Sequence, residues 1–529
     1  MTNSIPEFET DTNCFLIIGS NTSEGHPLIA TRILKAQKRG AKIIVLDPRK
    51  NQIGQWADLY FSFRPGSDVA VFNGIMNVII SEGLADEAFI AERTEGYEEL
   101  RTLVAEYTPE KVETISGIPA DGLRQVARLY AGNKPSAIVY AMGITQHTTG
   151  VDNVKSTANL AMLCGNMGIP GGGVNPLRGQ NNVQGACDMG GLPNVYSGYQ
   201  VVTSPDVQKK FQDAWGGAGP LTVGLTVTEI VNAVGENKLR ALIVMGENPM
   251  VADPDINHAR LCLEKAEFLV VMDIFMSETA ELAHVVLPSV SFAEKDGTFT
   301  GTDRRVQRVR KAIEPIGDAL PDWQIICQLA QKMGASGFDY GSPQQVMEEI
   351  SRLTPSYGGI NYDRLEQLGS LQWPCPTPDH PGTPYLHKGK FARGMGKFFA
   401  LPFVDAAELI DDQYPFTLTT GRVMFHFHTG TMTRRSKKLV SEVPGAYIEM
   451  HPEDAQKVGL NGRRRVRVMS RRGQIELDVR VTENIKQGVV FIPFHFAEAA
   501  ANALTNSAID PVAKIPEYKV CAVKIELAN

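Results

Sequence analysis

Two stretches of the chain repeat one hydrophobic pattern. Residues 15–19 form an apolar run that predicts a buried strand, and a second apolar run covers residues 42–47 after a polar turn and a helical pattern. The same order returns with a strand at 242–246, a helix at about 255–265 and a strand at 268–273. Each stretch therefore predicts a β-α-β unit whose two strands are parallel.

The two units share landmarks at a nearly constant spacing. Three pairs stand 227, 227 and 226 residues apart: Gly19 and Gly246, Asn21 and Asn248, Asp47 and Asp273. Ligands of open α/β sheets bind at the carboxyl ends of strands, where a turn glycine lets the backbone approach a phosphate and an acid accepts ribose hydroxyls. The repeat therefore favours two related nucleotide sites, for two nucleotides or for one ligand with two nucleotide ends. A duplicated scaffold without a ligand stays an alternative, and the absence of G-x-G-x-x-G from both units disfavours an ordinary NAD site.

A third junction of strand and loop lies between the two units, at residues 137–147. Gln146 and His147 would stand at the carboxyl end of its strand, where ligands bind. A single histidine in that position is more often a structural hydrogen-bonding group than a ligand, and we interpret His147 in that way.

The period of the pattern changes in the last third of the chain. Five prolines within residues 374–384 exclude a helix or a central strand there. Beyond them, apolar alternation predicts four strands and one helix, an arrangement typical of a compact β-barrel. The strands are expected at 416–420, 464–469, 474–481 and 488–494, and the helix at 452–458.

Three histidines of this last region are candidate ligands: His426, His428 and His495. Two histidines separated by one residue on a strand point to the same face and could bind a metal ion. The sequence offers no clear third ligand, so hydrogen bonds to a ligand or to buried backbone are the favoured interpretation. Arg422 and Lys519 add positive charge that suits phosphate.

Composition narrows the class of protein. The 529 residues carry 52 Lys and Arg against 59 Asp and Glu, a dispersed net charge of −7 that argues against a nucleic-acid or membrane-surface partner. The closest two of seven cysteines are 23 residues apart, so no zinc or iron–sulfur ligand motif is visible and a reducing cytoplasm is expected. No window approaches 18 consecutive apolar residues, so no membrane span is predicted.

The run 178–191 is the most unusual part of the sequence, because it has no apolar period of strand or helix. It holds one cation, Arg178, among polar side chains. These are Gln180, Asn181, Asn182, Gln184 and Asp188. Such a density of donors and acceptors predicts a buried polar site in which each group has a partner. A glycine- and asparagine-rich surface turn is the alternative.

The chain resembles the catalytic subunit of molybdenum- or tungsten-dependent formate dehydrogenases, in the dimethyl sulfoxide reductase superfamily. The resemblance covers essentially the whole chain and is most specific at residues 175–190 and 514–519. Relatives that act on nitrate or sulfoxides usually lack the Arg-Gly-Gln-Asn-Asn run, so formate is favoured. The resemblance implies an α/β fold with two related Rossmann-like αβα domains, a crossing segment rich in proline and a C-terminal β-barrel of the double-psi type. The expected ranges are 1–180, 181–343, 344–385 and 386–529.

The resemblance also implies a cofactor, two molybdopterin guanine dinucleotides that chelate one molybdenum or tungsten ion. One dinucleotide would contact Gly19, Asn21, Asp47, Arg49, Gly66, Asp68, Met142, Gly143 and Gln146. The other would contact Gly246, Glu247, Asp273 and Asp322. The barrel would contribute Arg422, His426, His428, His495, Asn502 and Lys519, and Gln180 would contact the pterin system near the metal. No residue of the chain is expected to ligate the metal itself.

In this resemblance Arg178 is the catalytic residue. Its guanidinium would hold formate in bidentate geometry during a two-electron oxidation to CO2, and an electron-transfer subunit or another acceptor would take the electrons. Two features of the family are missing from the sequence: the cysteines of a [4Fe–4S] cluster, and the segment with the metal-ligating cysteine or selenocysteine. We therefore expect the chain to be inactive alone, as if a selenocysteine codon upstream of Met1 had been read as a stop. The alternatives are a non-catalytic protein that binds or inserts the dinucleotide, and a superfamily oxidoreductase for another small oxyanion.

Overall fold

The computed structural model describes residues 1–217 and 219–528. Contacts within the chain divide it into two compact units. Unit 1 comprises Met1–Gly179, Val251–Asn257 and Tyr385–Asn529, and unit 2 comprises Gln180–Met250 and His258–Pro384. The four domain ranges expected from the sequence stay a prediction.

A five-stranded parallel sheet forms the first part of unit 1. Its strands, in spatial order, are Leu59–Phe61, Lys42–Leu46, Cys14–Ile18, Ser136–Tyr140 and Val174–Pro176. The central strand is buried on both faces: Leu16 packs in one hydrophobic cluster, and Phe15 packs in another on the opposite side. This is the arrangement expected when helices cover both faces of a parallel sheet, and the first predicted β-α-β unit is confirmed.

The helices of this region connect and cover the strands. They are Ile5–Thr10, Thr22–Gly25, Pro27–Lys38, Gln52–Gln55, Asp68–Ser81, Glu87–Arg93, Tyr97–Val104, Pro109–Ser116, Ala120–Gly132, Met142–Thr145 and Gly150–Leu163. A two-residue pair, Thr94–Glu95 with Gly396–Lys397, adds a short parallel ladder.

The C-terminal part of unit 1 is a closed six-stranded barrel. Its strands, in order around the barrel, are Phe416–Gly421, Val489–Pro493, Tyr447–Met450, Gln474–Val481, Arg465–Met469 and Cys521–Leu527. Two of the neighbouring pairs are parallel, as a double-psi barrel requires. The four predicted strands and the helix Pro452–Lys457 are confirmed, whereas Tyr447–Met450 and Cys521–Leu527 escaped the sequence reading. A further helix, Lys437–Glu442, and the single turns Thr433–Arg435, Ala497–Ala499 and Ala501–Ala503 complete this region.

Unit 2 contains a three-stranded parallel sheet in the order Val285–Pro288, Phe268–Asp273 and Ala241–Met245. One face packs Val244, Leu269 and Val271 against neighbouring apolar residues. The other face leaves three large side chains about half exposed: Ile243 at 52%, Met245 at 53% and Phe268 at 48%. The second predicted parallel pair is thus confirmed, but on a sheet that is covered less completely than the first.

The remaining elements of unit 2 are a second sheet, a hairpin and helices. The antiparallel sheet has the order Gly297–Thr300, Arg305–Val309 and Ser370–Gln372, and the hairpin joins Val195–Tyr196 to Gln200–Val201. The helices between residues 180 and 384 are Val183–Asp188, Pro205–Ala214, Val227–Gly235, Pro249–Ala252, Ile256–Leu263, Asp322–Lys332, Pro343–Leu353 and Tyr362–Leu368. Single turns occur at Ser197–Tyr199, Ala280–Leu282, Phe292–Glu294 and Pro355–Tyr357. None of the helices in the described part of the chain is long and apolar enough to cross a membrane.

The hydrogen bonds repeat between the two parallel pairs as the sequence does. Asp58 donates its N–H to the carbonyl oxygen of Ile43 at 2.8 Å and accepts that residue's N–H on its carboxylate at 2.9 Å. His284, which stands 226 residues later, makes the same two bonds to Leu269, at 2.9 and 3.0 Å, with Nδ1 as the acceptor. The imidazole of His284 therefore takes the place of the Asp58 carboxylate without a change in the local backbone. This supports an origin of the two β-α-β units by duplication.

The polar run 178–191 contains a short helix, Val183–Asp188, although the run has no apolar period. Asn182 precedes this helix in the left-handed conformation, with φ 64°. The proline-rich segment 374–384 contains no helix or strand, as predicted. The buried Arg304 holds part of it, because its guanidinium donates to the carbonyl oxygens of Thr383 and Pro384, both at 2.9 Å.

Candidate functional site

Arg178 lies two residues after the last strand of the unit 1 sheet, at the carboxyl edge. Two backbone anchors fix the loop around it. The N–H of Leu177 donates to the carbonyl oxygen of Tyr140 at 2.7 Å, and the imidazole Nε2 of His26 donates to the carbonyl oxygen of Arg178 itself at 2.8 Å. The Arg178 side chain is half-buried, as a group that must meet a small ligand would be.

Five ionisable side chains of unit 1 gather near the same edge: Asp47, Asp68, His147, Glu517 and Lys519. Their close packing shifts the balance between charged and neutral forms. Burial raises the pKa of Asp68 to about 7 and that of Asp47 to about 6, and it lowers the pKa of Lys519 to about 8. The attraction between Asp47 and Lys519 opposes both of their shifts.

Asp68 is the least satisfied member of this group. It is 1% exposed, and neither carboxylate oxygen accepts a hydrogen bond from another residue in the described part of the chain. The ring of His147 approaches to 3.9 Å, which is beyond hydrogen-bond distance, and donates instead to the carbonyl oxygen of Gly143 at 2.9 Å. His147 thus makes one hydrogen bond to the backbone, and both carboxylate oxygens of Asp68 are buried acceptors without a partner among the described residues.

The two glycines at this edge, Gly19 and Gly143, pack closely against each other. Gly19 adopts φ 54°, and its carbonyl oxygen accepts the N–H of Gly143 at 3.0 Å. A Cβ on Gly143 would lie 2.4 Å from that oxygen, so the two turns touch backbone to backbone. Met142, which precedes Gly143, is 44% exposed, and Gln146 follows the same turn.

The other residues expected at the first dinucleotide site differ in how far their polar groups are already engaged by the protein. Gly66 adopts φ 85° directly before the helix that Asp68 begins, where ordinary side chains are strained. Asn21 accepts from the hydroxyl of Ser23 at 3.2 Å. Arg49 makes a bidentate ion pair with Glu449, at 2.7 and 2.9 Å, and its guanidinium stacks 3.7 Å from the centre of the Phe491 ring. The bonds to Glu449 therefore use two of its five N–H donors.

Two of the three barrel histidines, His426 and His495, make side-chain hydrogen bonds to neighbouring protein groups. Residues 426–428 lie in an irregular turn and not on a strand, so the expectation of two rings on one strand face was wrong. His426 bonds Val443 and Thr433, and His495 accepts the N–H of Val423 on Nε2 while its Nδ1 donates to the carbonyl oxygen of His428. Burial lowers the pKa of His428 to about 4 and that of His495 to about 3, so both rings are neutral.

Arg422 and Asn502 retain unused polar atoms at the barrel. The Nε of Arg422 is buried without a hydrogen-bond partner among the described residues, and the guanidinium lies 5.1 Å from the centre of the Phe427 ring. Asn502 donates to the carbonyl oxygens of Val251 and Ala252, at 2.9 and 3.0 Å, while its Oδ1 is likewise buried and unpartnered in that part of the chain. Lys519 donates to the carbonyl oxygen of Thr420 at 2.7 Å.

The expected residues of the second dinucleotide site lie in unit 2. Gly246 adopts φ 61° with open space where a Cβ would stand, and Glu247 beside it is exposed. Asp273 accepts the N–H groups of the two residues that follow it, as Asp47 accepts that of Arg49 in unit 1. Asp322 begins a helix and is paired with Lys295, and the half-buried Gln180 stands at the start of the unit.

Asp188 shows what the polar run does in unit 2. Its carboxylate is 1% exposed and accepts four hydrogen bonds. The donors are Gln184 at 2.8 Å, Tyr199 at 2.9 Å, Tyr357 at 2.6 Å and Trp373 at 2.7 Å. The expectation of a buried, satisfied polar cluster is confirmed for Gln184 and Asp188, whereas Asn181 is exposed.

Sequence reasoning missed two functional candidates in unit 1. Glu517 is buried and accepts from the N–H and hydroxyl of Thr148, at 3.4 and 3.2 Å. Its position in the run 514–519, which carries part of the family resemblance, is the signal that could have identified it. His26 was missed because a histidine before Pro27 reads only as the start of a helix.

A parallel sheet with polar groups at its strand ends, joined within unit 1 to a six-stranded barrel, is the arrangement shared with a known class of enzymes. The family model described as molybdopterin oxidoreductase matches residues 1–332, and that described as molydopterin dinucleotide binding domain matches residues 416–522. The chain therefore belongs to the molybdopterin oxidoreductase family, and its cofactor is a molybdopterin dinucleotide.

Two individual relatives and one solved structure match the chain over 99% or more of its length. The chain is 52% identical to F420-dependent formate dehydrogenase 1 subunit alpha of Methanococcus maripaludis, over 99% of this chain and 78% of that protein. It is 41% identical to formate dehydrogenase H of Escherichia coli, over 99% of this chain and 74% of that protein. Among solved structures, acetylene hydratase from Pelobacter acetylenicus shares the fold, with a TM-score of 0.78 at 21% identity, over 100% of this chain and 81% of that one.

Proposed function

We propose that the chain is the formate- and cofactor-binding part of an enzyme that oxidises formate to CO2, with one proton and two electrons released, or catalyses the reverse reaction. The observation that carries the proposal is Arg178 at the carboxyl edge of the unit 1 sheet, where the backbone N–H of Leu177 and the imidazole of His26 hold its loop by hydrogen bonds. The names of the relatives at 52% and 41% identity support formate as the substrate.

Arg178 would act by orientation and charge. A guanidinium presents parallel N–H donors that match both oxygens of a carboxylate, and it stays protonated at any pH at which the enzyme works. Formate held in this way has its C–H bond directed away from the arginine. The positive charge stabilises the bound monoanion and gives no such help to neutral CO2, which favours release of the product.

The residues at the sheet edge fit a guanine dinucleotide. Asp68 offers two buried acceptor atoms without protein donors, and guanine presents adjacent N–H donors at N1 and its 2-amino group. The unused Nε of Arg422 and the ammonium of Lys519 suit phosphate or pterin oxygens. When bound, the bis-molybdopterin guanine dinucleotide with molybdenum or tungsten supplies the two-electron redox chemistry.

The remaining site assignments follow the same proposal. Gly19, Asn21, Asp47, Arg49, Gly66, Met142, Gly143 and Gln146 would surround the first dinucleotide, and Gly246, Glu247, Asp273 and Asp322 the second. His426, His428, His495 and Asn502 would shape the barrel side, and Gln180 would contact the pterin. For Arg49 and Asp322 the role is indirect, because their charges are already paired with Glu449 and Lys295.

We propose a cytoplasmic enzyme that passes its electrons to a separate acceptor. Relatives are named as alpha subunits, which supports an electron-transfer subunit as the acceptor. An iron–sulfur, flavin or hydrogenase partner would each satisfy the electron balance, since two electrons leave with every formate oxidised.

The test is steady-state kinetics of the cofactor-loaded enzyme with formate and an artificial electron acceptor. Arg178→Lys should lower kcat/KM about 10- to 100-fold, because a bidentate charged contact is worth roughly 1.5–3 kcal/mol. Arg128→Lys is the matched control, since Arg128 makes a bidentate pair with Glu82 on the exposed surface. A loss below about twofold in Arg178→Lys, or turnover of nitrate or a sulfoxide without turnover of formate, would contradict the proposal.

A further inference from the structure

His26 occupies a rigid position beside the proposed substrate arginine. It precedes Pro27, the first residue of the helix Pro27–Lys38, and proline restricts the backbone of the residue before it. The turn that leads to it is fixed as well, because Ser20 and Thr22 are buried and their hydroxyls hydrogen-bond at 2.9 Å. The imidazole therefore projects from a backbone with little freedom.

The bond between the ring and Arg178 has a defined direction. A carbonyl oxygen only accepts, so Nε2 of His26 carries the proton and donates across 2.8 Å. Burial and the charge of Arg422 lower the pKa of His26, which keeps the ring neutral with its proton on that nitrogen. Nδ1 faces a buried environment without a hydrogen-bond partner in the described residues, so the Arg178 carbonyl is the protein group that holds the ring.

This bond fixes the peptide group that follows Arg178. The preceding anchor, Leu177 N–H to Tyr140, holds the chain on the other side at 2.7 Å. Gly179, the next residue, lies against the guanidinium of Arg422, where an added Cβ would stand 3.1 Å from Nη1. A glycine has wide conformational freedom, so the His26 bond restrains the backbone at the point where Arg178 leaves the strand.

We propose that His26 is a positioning residue for Arg178: its Nε2–H holds the Arg178 carbonyl and thereby sets the direction of the guanidinium toward the substrate. The inference rests on the role of Arg178 under the proposed function. It adds that the substrate arginine depends on a histidine 152 residues earlier in the chain.

Two variants separate this role from general stability. His26→Leu removes the donor, whereas His26→Gln keeps an N–H donor at similar reach. His451→Leu is the matched control, since His451 also precedes a proline that begins a helix, Pro452–Lys457, but its ring bonds the N–H of Glu453 in its own helix.

The first measurement is amide hydrogen exchange, followed by mass spectrometry, in peptides covering residues 177–183. We expect His26→Leu to raise exchange there at least threefold, with His26→Gln and His451→Leu close to the parent. This readout does not depend on turnover, so it tests the positioning role even if the enzyme acts on another substrate. Equal exchange in His26→Leu and the parent would overturn the inference.

The second measurement is kinetics of the cofactor-loaded enzyme. His26→Leu should raise KM for formate about tenfold with a smaller change in kcat, and His26→Gln should restore most of the loss. His26→Leu combined with Arg178→Lys should lose little more than Arg178→Lys alone, because both changes remove one interaction. Additive losses, or no rescue by glutamine, would overturn the inference and leave the role of Arg178 to its own test.

Discussion

Arg49 and Glu449 form a bidentate ion pair between the end of a sheet strand and a barrel strand 400 residues later in the chain. Both side chains are largely buried, with 15% and 12% of their surface exposed. Burial alone would lower the pKa of the Arg49 guanidinium, but the charge and hydrogen bonds of Glu449, together with the charges of Glu24 and Tyr447, raise it. The pair therefore links the sheet and the barrel of unit 1. Removal of either charge would leave the other buried and unpaired.

Removal of Glu449 should destabilise the folded chain. We expect Glu449→Ala to lower the free energy of unfolding of the chain by about 3–5 kcal/mol, because it leaves a buried charge unpaired. Glu498→Ala is the control: Glu498 makes the same bidentate pair with Arg434, at 2.6 and 2.7 Å, but is 53% exposed. Its loss should cost about 1 kcal/mol or less. Urea denaturation measures both, and equal costs would contradict the prediction.

Asp68 should make the chain without bound dinucleotide less stable as pH rises. Its folded pKa of about 7 lies above the ordinary value of 3.8, so its contribution is fully present below pH 3.8 and is lost as pH rises through about 7. Between pH 5 and 8 this loss amounts to roughly 2–3 kcal/mol. Asp68→Asn, which does not titrate, should flatten the dependence by that amount. The exposed Asp339→Asn should leave it unchanged, and an unaltered profile in Asp68→Asn would refute the assignment.

Asp188 should be a stability determinant of unit 2. Asp188→Asn replaces one accepting oxygen by an amide donor that faces donors, so two of the four hydrogen bonds are lost. We expect a cost of about 2–4 kcal/mol. Asp339→Asn serves again as the exposed control within the same unit. Thermal unfolding monitored by tryptophan fluorescence measures the change, since Trp373 is one of the donors. A shift no larger than that of the control would count against the network.

Gly143 should tolerate no side chain. In Gly143→Ala the new Cβ would meet the backbone of Gly19 at 2.4–2.6 Å, so one of the two turns must move. We expect at least about 3 kcal/mol of destabilisation, or failure to fold. Gly25→Ala is the control in a neighbouring turn, with open space around the Cβ, and should change the stability by less than about 1 kcal/mol. Similar stability in both variants would show that the two turns separate freely.

The sequence predicted those strands and turns of the fold that depend on local residue preferences. Strand ends marked by Gly19 and Gly246 were found because a left-handed turn favours glycine wherever it occurs. The strand Tyr447–Met450 was missed for the opposite reason. It carries Glu449 in a buried position, and the arginine that neutralises this charge lies 400 residues away.

The sequence identified candidate site residues only where the residue type itself indicates the chemistry. Arg178 was singled out as the one cation of the polar run, but the hydrogen bond from His26 to its carbonyl oxygen was not foreseen. The helix Val183–Asp188 forms in a run without apolar period because Tyr357 and Trp373 donate to Asp188 from far along the chain. The place of Arg49 near a nucleotide stays a prediction, and its ion pair with Glu449 was not foreseen. Such long-range pairs leave no periodic signal, so they appear only in three dimensions.

The half-exposed face of the unit 2 sheet has a consequence for the behaviour of the chain in solution. Ile243, Met245 and Phe268 form an apolar surface on a parallel sheet, and the strand Ala241–Met245 pairs on one side only within the described residues. Such a surface and edge attract other copies of the same chain. We expect the isolated polypeptide to self-associate reversibly and to bind dyes that fluoresce on apolar surfaces. Protein concentration, more than the stability of the fold, would then determine how long a purified sample stays free of aggregates.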